Sequence, residues 1–289
     1  MADLPLIPLP DRTLIAVSGD DRVAFLQGLV TNDVTRLDGR AVWSALLTAQ
    51  GKYLHDFIIL AEDGRLLLDV EAARREDLLR RLRMFRLRAK VELTDLTGQQ
   101  GVFAQLDRDA GDRGAVTAVP GGWSLIDPRH AGLGRRLILP VDRVATGDIA
   151  DWDRLRIGLG IPDSSRDLIP EKSILLDNGF DELAGIAWDK GCYVGQELTA
   201  RTKYRGLVKK RLVPVRVDGP LPEAGSIVTR DGADVGEIRS GRADLALALI
   251  RLDALSAGTP LACGAAVLTP MLPSWINLPR SEGNIPTNG

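Results

Sequence analysis

Between Trp43 and Val70 the chain reads WSALLTAQGKYLHDFIILAEDGRLLLDV: three apolar runs separated by Gln-Gly-Lys and Glu-Asp-Gly-Arg. Those separators have the composition of hairpin turns, so the segment is expected to fold as an antiparallel meander. Upstream, RTLIAVSGDDRVAFLQGLVTNDV gives a strand over 14–17, a Gly-Asp turn and a short helix with Val23, Phe25, Leu26 and Leu29 on its apolar face. Downstream, EAARREDLLRRLRMFRL places Leu78, Leu79, Leu82 and Phe85 at helical spacing, and VELTDL follows as a strand. Helices mixed with antiparallel strands define an α+β fold.

Two further strands, WSLID and RRLILPV, precede a helix expected over 148–159, which Pro162 stops. Beyond KYRG the sequence becomes a series of short β-rich runs separated by Gly, Pro and Asp, the pattern of a small all-β barrel or sandwich. With 289 residues the chain is long enough for two cores. We divide it into an α+β region over 1–207, a C-terminal β-barrel over 208–279 and a flexible tail over 280–289.

A formal net charge of -2 gives no bulk attraction to nucleic acid or to anionic membrane. The N-terminus, MADLPLIPLPDR, lacks the basic and apolar parts of a signal peptide, and runs such as LALALI are too short to span a bilayer. A soluble, cytoplasmic protein is expected, with no membrane partner and no direct nucleic-acid partner. The two cysteines, Cys192 and Cys263, form no CxxC motif, and His55 and His130 are scattered, so neither a disulfide scaffold nor a metal site is expected.

Cys192 stands in KGCYVGQELTAR. If the run GIAWDKGC is extended, Lys190 and Cys192 point the same way. Gly195 then permits a sharp turn into the helix QELTARTKY, whose free N–H groups lie close to the thiol. Both features favour a thiolate, a better nucleophile or metal ligand than a buried cysteine. The alternative is a small core residue beside a solvated lysine, and that is the reading for Cys263. Iron–sulfur clusters usually take four thiolates, so one chain with two cysteines builds no standard site.

KGCYVGQELTAR followed by TKYRGLVKKRLVPV resembles the signature of the YgfZ-type folate-binding proteins, relatives of the aminomethyltransferase T-protein of the glycine cleavage system. FLQGLVTNDV, LLTAQGKYLHDFI, LRMFRLRAKVEL, IPEKSILLD and ELAGIAWDKGCYVGQE occur in that family's order. The form with ELTART and KKRL is most similar to the branch that includes the mitochondrial iron–sulfur assembly factor. The resemblance implies a folate-binding α+β region followed by a barrel. It also implies a tetrahydrofolate-binding accessory factor for assembly or repair of iron–sulfur clusters in client enzymes, tRNA-modifying methylthiotransferases among them. Its partners would be iron–sulfur clients or assembly factors, and its cofactor tetrahydrofolate or a one-carbon derivative. Cys192 is the essential thiol in that reading, and Lys190 and Asp56 join it as candidate catalytic groups, Asp56 as a general acid or orienting group. Trp152 matches a tryptophan implicated in folate binding, and Glu171 falls where relatives place a group near the pterin. Tyr193, Gly195, Gln196 and Glu197 belong to the signature, and Arg201 and Arg205, with Lys203, Lys209 and Lys210, are cations suited to a glutamate tail.

The pattern departs from the aminomethyltransferases in two places. His55 and Asp56 stand where those enzymes place two aspartates, and Gly158 replaces a glutamate found in many relatives. Two missing carboxylates count against methylamine transfer. A second reading keeps a tetrahydrofolate-dependent one-carbon transferase with Asp56 as acid/base group and His55 titrating near neutrality. A third is a scaffold that binds folate and docks a partner through the barrel. The arginine-rich helix over 74–88 reads as a solvated face in which Glu76 and Asp77 pair with Arg80 and Arg81.

Overall fold

The structure, a computed structural model, describes residues 4–107, 111–255 and 260–278; the flexible tail expected over 280–289 lies outside them. The chain begins with β1 (Ile7–Pro8), β2 (Arg12–Ser18) and α1 (Arg22–Gln27), then runs through β3 (Ala41–Leu47), β4 (Tyr53–Glu62) and β5 (Arg65–Glu71). These last three are the expected meander. Gly51 and Gly64, both at positive φ, make its turns. After α2 (Arg75–Arg86), β6 (Glu92–Asp95) completes an antiparallel sheet in the order β3-β4-β5-β2-β6.

Side chains alternate across this sheet with a period of two. Ile15, Val17, Phe57 and Ile59 pack with α1 and α2 on one face, while Leu14, Ala16, Ile58 and Leu60 face a second core. From α2, Leu78, Leu79 and Leu82 are buried, but Phe85 is exposed. The apolar spacing tells which residues share a side of the helix; it does not tell how far the sheet beneath extends, and the last turn of α2 lies largely open among the described residues.

A second antiparallel sheet, β1-β7-β10-β9-β8, uses β7 (Gln100–Gln105), β8 (Val116–Val119), β9 (Gly122–Ile126) and β10 (Arg135–Pro140). Buried arginines join the two sheets. Asp69 of β5 accepts from Arg12 Nε at 2.7 Å and from Arg136 of β10 at 2.5 Å, and Arg129 closes on Asp127 at 2.7 Å. Such pairs contribute little net energy while intact, but they are costly to break.

Next come α3 (Ile149–Gly158), capped by Asp148, and α4 (Ser164–Asp167), then a long irregular stretch leading to α5 (Gln196–Tyr204). The barrel consists of β11 (Lys210–Asp218), β12 (Ile227–Arg230), β13 (Ala233–Arg242), β14 (Leu245–Arg251), β15 (Leu261–Cys263) and β16 (Ala266–Pro270), closed in the order β11-β14-β13-β12-β15-β16. Its interior is filled by Val213, Val215, Ile238, Ala248, Ile250 and Leu268. It is fastened to α3 through Arg156, fully buried, which holds Asp153 at 2.8 Å, Asp167 at 2.7 Å and the barrel's Ser240 Oγ at 3.0 Å. Among the described residues no helix is long and apolar enough to cross a membrane.

Candidate functional site

The segment before Cys192, expected to be extended, is an irregular loop with a turn at Trp188–Asp189. The cause is Lys190. Its ammonium folds inward and donates to the carbonyl oxygens of Val30, at 2.5 Å, and Asn32, at 2.8 Å, leaving the residue 7% exposed. Lys190 and Cys192 therefore do not share a face: the amine is buried and the thiol is exposed. Burial pulls the Lys190 amine down to about 8, with Asp33 opposing the shift. The ammonium lies 5.2 Å from the ring of Tyr193, itself buried, and burial pushes that hydroxyl up to about 12.

On the other side of the thiol, Gly195 adopts φ +81° and starts α5. Backbone closeness requires a glycine there: a Cβ would meet Thr48 O at 2.6 Å and Gly51 Cα at 3.1 Å. The signature loop is thus pinned at Lys190 to the carbonyls after α1, and at Gly195 to the β3–β4 turn. Gly191 and Cys192 remain exposed between buried neighbours.

The other expected site residues do not gather around it. Asp56 is buried, with Oδ1 accepting from Tyr53 Oη at 2.8 Å and Oδ2 from Trp43 Nε1 at 2.9 Å. Both oxygens are engaged in orienting core aromatics, so the carboxylate is not free for the acid/base role expected of it. Burial and the Asp56 carboxylate push the Tyr53 hydroxyl well above its ordinary range. His55 is buried against Asp77, Nε2 to Oδ2 at 2.9 Å. Burial, then Arg74, pushes it down to about 4, so the expectation of proton transfer near neutrality is corrected as well.

Trp152 is 4% exposed within the main core, with the Arg156 guanidinium 6.0 Å from its ring. It presents no open face, and Cys192 overlooks no hollow floored by that indole. Glu171 is exposed; its amide donates to Tyr53 O at 2.7 Å and its carboxylate lies 3.3 Å from Arg81 of α2. Gln196 is half-buried, and Glu197, Arg201 and Arg205 are exposed along α5. A reduced folate needs an open aromatic face and a free carboxylate. The indole of Trp43 is stacked on Phe180 at 3.8 Å, Trp152 is sealed and Asp56 is engaged, so these residues do not fit that cofactor as they stand.

One cluster escaped the sequence reading. Asp181 accepts from Trp188 Nε1 at 2.7 Å and from Lys203 at 2.9 Å, Lys203 sits 4.1 Å from the Trp188 ring, and Tyr204 meets Trp188 edge-on at 6.1 Å. The positions follow no period; the only signal was an aromatic residue close to the signature. Next to this cluster a cleft of about 320 Å³, lined by Leu176, Glu182, Lys203, Val208, Arg211 and Leu252, separates the end of α5 from the barrel. Cys263, as expected, is a buried barrel residue, its thiol pushed up by burial. Among the described residues no group of three or more His, Cys, Asp or Glu side chains is placed to hold a metal ion.

Two antiparallel sheets, a bridging helix and a closing barrel form an architecture also seen in the crystal structure of glycine cleavage system aminomethyltransferase T from Bartonella henselae. The TM-score is 0.71, over 94% of this chain and 86% of that one, at 16% identity. Residues 209–278 match the family described as CAF17, C-terminal beta-barrel domain. The chain is thus a protein of aminomethyltransferase fold that ends in a six-strand barrel and carries one exposed thiol. It is 31% identical to the mitochondrial iron–sulfur cluster assembly factor IBA57 of Mus musculus, over 92% of this chain and 84% of that protein. To the Homo sapiens protein it is 32% identical, over 84% and 76%, and to the Pyricularia oryzae homolog 31%, over 97% and 80%. The chain belongs to the IBA57 family of iron–sulfur cluster assembly factors.

Proposed function

We propose that this protein assists assembly or repair of iron–sulfur clusters by presenting the Cys192 sulfur to a cluster whose other ligands belong to a second protein. The observation that carries the reading is the exposed sulfur on a loop pinned at Lys190 and Gly195. With Cys263 shut inside the barrel, the chain has one thiol to offer, and a four-thiolate cluster takes the rest from elsewhere. The step is a ligand exchange. The Cys192 thiol loses its proton to solvent, its sulfur lone pair forms a bond to iron, and the displaced ligand leaves with its own electron pair and takes up a proton, with no change in oxidation state. The cluster is cargo throughout.

Clients of this activity are proposed to be four-iron enzymes, tRNA-modifying methylthiotransferases among them. No step runs through tetrahydrofolate. The aminomethyltransferase-like fold is what supports folate binding, and calorimetric titration with tetrahydrofolate tests it independently.

The role of the thiol is tested in a deletion strain by the activity of a four-iron client enzyme. Cys192→Ala is expected to abolish rescue while the protein accumulates normally. Full rescue by that variant removes the thiol from the mechanism.

A further inference from the structure

We infer that the outer face of α5 is a docking surface for an acidic, cluster-bearing protein and sets that protein over Cys192. The inference rests on the proposed role of the thiol and adds the chemistry of the partner.

A surface helix ordinarily turns an apolar stripe toward a core. In α5, only Thr199 of nine residues is buried, and the helix is located by the contact of Gly195 with the β3–β4 turn. Its apolar residues stay largely open instead: Leu198, whose Cβ lies against the β3–β4 turn at Gly51, is still 37% exposed, Tyr204 is 73% exposed, and Leu207, just past the helix, is 47% exposed. Arg201 and Arg205 are exposed and make no ion pair among the described residues. Leu198, Arg201 and Arg205 are spaced by three and four, so they share one side of the helix.

Arginine and tyrosine are enriched at protein–protein contacts and carry much of their energy. Tyr204 is also braced. It rests edge-on against Trp188, whose indole is held by Asp181 below and covered by Lys203. A braced aromatic ring loses little freedom on binding.

The surface is continuous with the thiol, since α5 begins four residues after Cys192. Its sign is net positive: Arg201 and Arg205, followed in the chain by Lys209 and Lys210, all four exposed, outweigh the exposed Glu197 of the first turn. That selects an acidic partner by complementarity and steers its approach. Aliphatic contacts from Leu198 and Leu207 suit a protein surface; nucleobases would call for further stacking rings.

The test uses the full chain carrying Tyr204→p-benzoylphenylalanine, expressed in cells that lack their own relative and irradiated in the cell. Support requires one protein adduct whose partner carries net negative charge and cysteine cluster ligands. The adduct must fall at least tenfold in Arg201→Glu/Arg205→Glu and persist in Cys192→Ser. Should the double reversal lower the melting temperature, Arg201→Gln/Arg205→Gln, which only removes charge, takes its place. No adduct, a nuclease-sensitive adduct, an adduct with a second copy of this chain, or one indifferent to the charge change overturns the inference. The thiol reading fails separately: the charge-dependent adduct forms, yet Cys192→Ser matures the client enzyme as well as the unaltered chain does.

Discussion

Gly195 and Gly51 meet backbone to backbone, so that a Cβ on Gly195 would lie 3.1 Å from the Cα of Gly51 and 2.6 Å from Thr48 O. Because Gly195 also sits at φ +81°, Gly195→Ala is expected to destabilise the protein by about 1–3 kcal/mol. Gly191, four residues earlier, has nothing within 4 Å of its Cβ position, and Gly191→Ala is expected to change stability by less than about 0.5 kcal/mol. Urea unfolding of the two variants, side by side, checks the contrast; equal effects would refute the pinned-loop account.

Lys190→Met keeps most of the unbranched side chain, one atom shorter, and deletes the donor that satisfies Val30 O and Asn32 O. Stranding those acceptors is expected to cost about 1–3 kcal/mol. The same variant should let the signature loop move, so alkylation of Cys192 by a bulky maleimide should change in rate while Cys263, inside the barrel, stays unlabelled. A variant as stable as the unaltered chain would show that the ammonium does not hold the loop.

His55 titrates at about 4 in the fold against an ordinary value of 6.5. Between those values the unfolded chain binds a proton that the native chain refuses. The stability that His55 contributes by staying neutral is therefore fully present above about 6.5, falls as pH drops through the window with a slope approaching about 1.4 kcal/mol per unit, and is gone below about 4. His55→Gln removes the titration and should flatten the curve over that range. Denaturation midpoints at pH 7, 5.5 and 4.5 make the comparison, and parallel curves would show that His55 is not the group responsible.

Arg156 ties α3 to α4 and the barrel, so Arg156→Met leaves Asp153 and Asp167 buried and short of a partner. The expected loss is about 3–5 kcal/mol. Calorimetric melting should show it as a large drop in transition temperature, and a drop of only a degree or so would mean that the pair is replaceable.

The sheets and the barrel were legible in the sequence because their signals are local. Gly51 and Gly64 mark the turns of the meander, and the close spacing of Gly, Pro and Asp beyond Gly206 marks short strands. The thiol was legible through its flanking signature. Its neighbourhood was not: the partners of Lys190 lie about 160 residues away in the sequence, and nothing near Lys190 announces them. Trp152 and Asp56 were placed by kinship, and kinship carries residue type without carrying accessibility. Asp56 spends both oxygens on Tyr53 and Trp43, and Trp152, on α3, is turned into the main core. The Arg12–Asp69–Arg136 link is invisible for a similar reason, since charge in a sequence reads as surface until a distant counter-charge is found.

The loop that carries Cys192 is fixed on both flanks before any other molecule arrives. In the proposed ligand exchange a sulfur held in that way would give up only its own torsion, so the encounter can be brief and weak and still succeed. Tight retention would defeat such a handover, so the role proposed for this loop is that of a courier rather than a store.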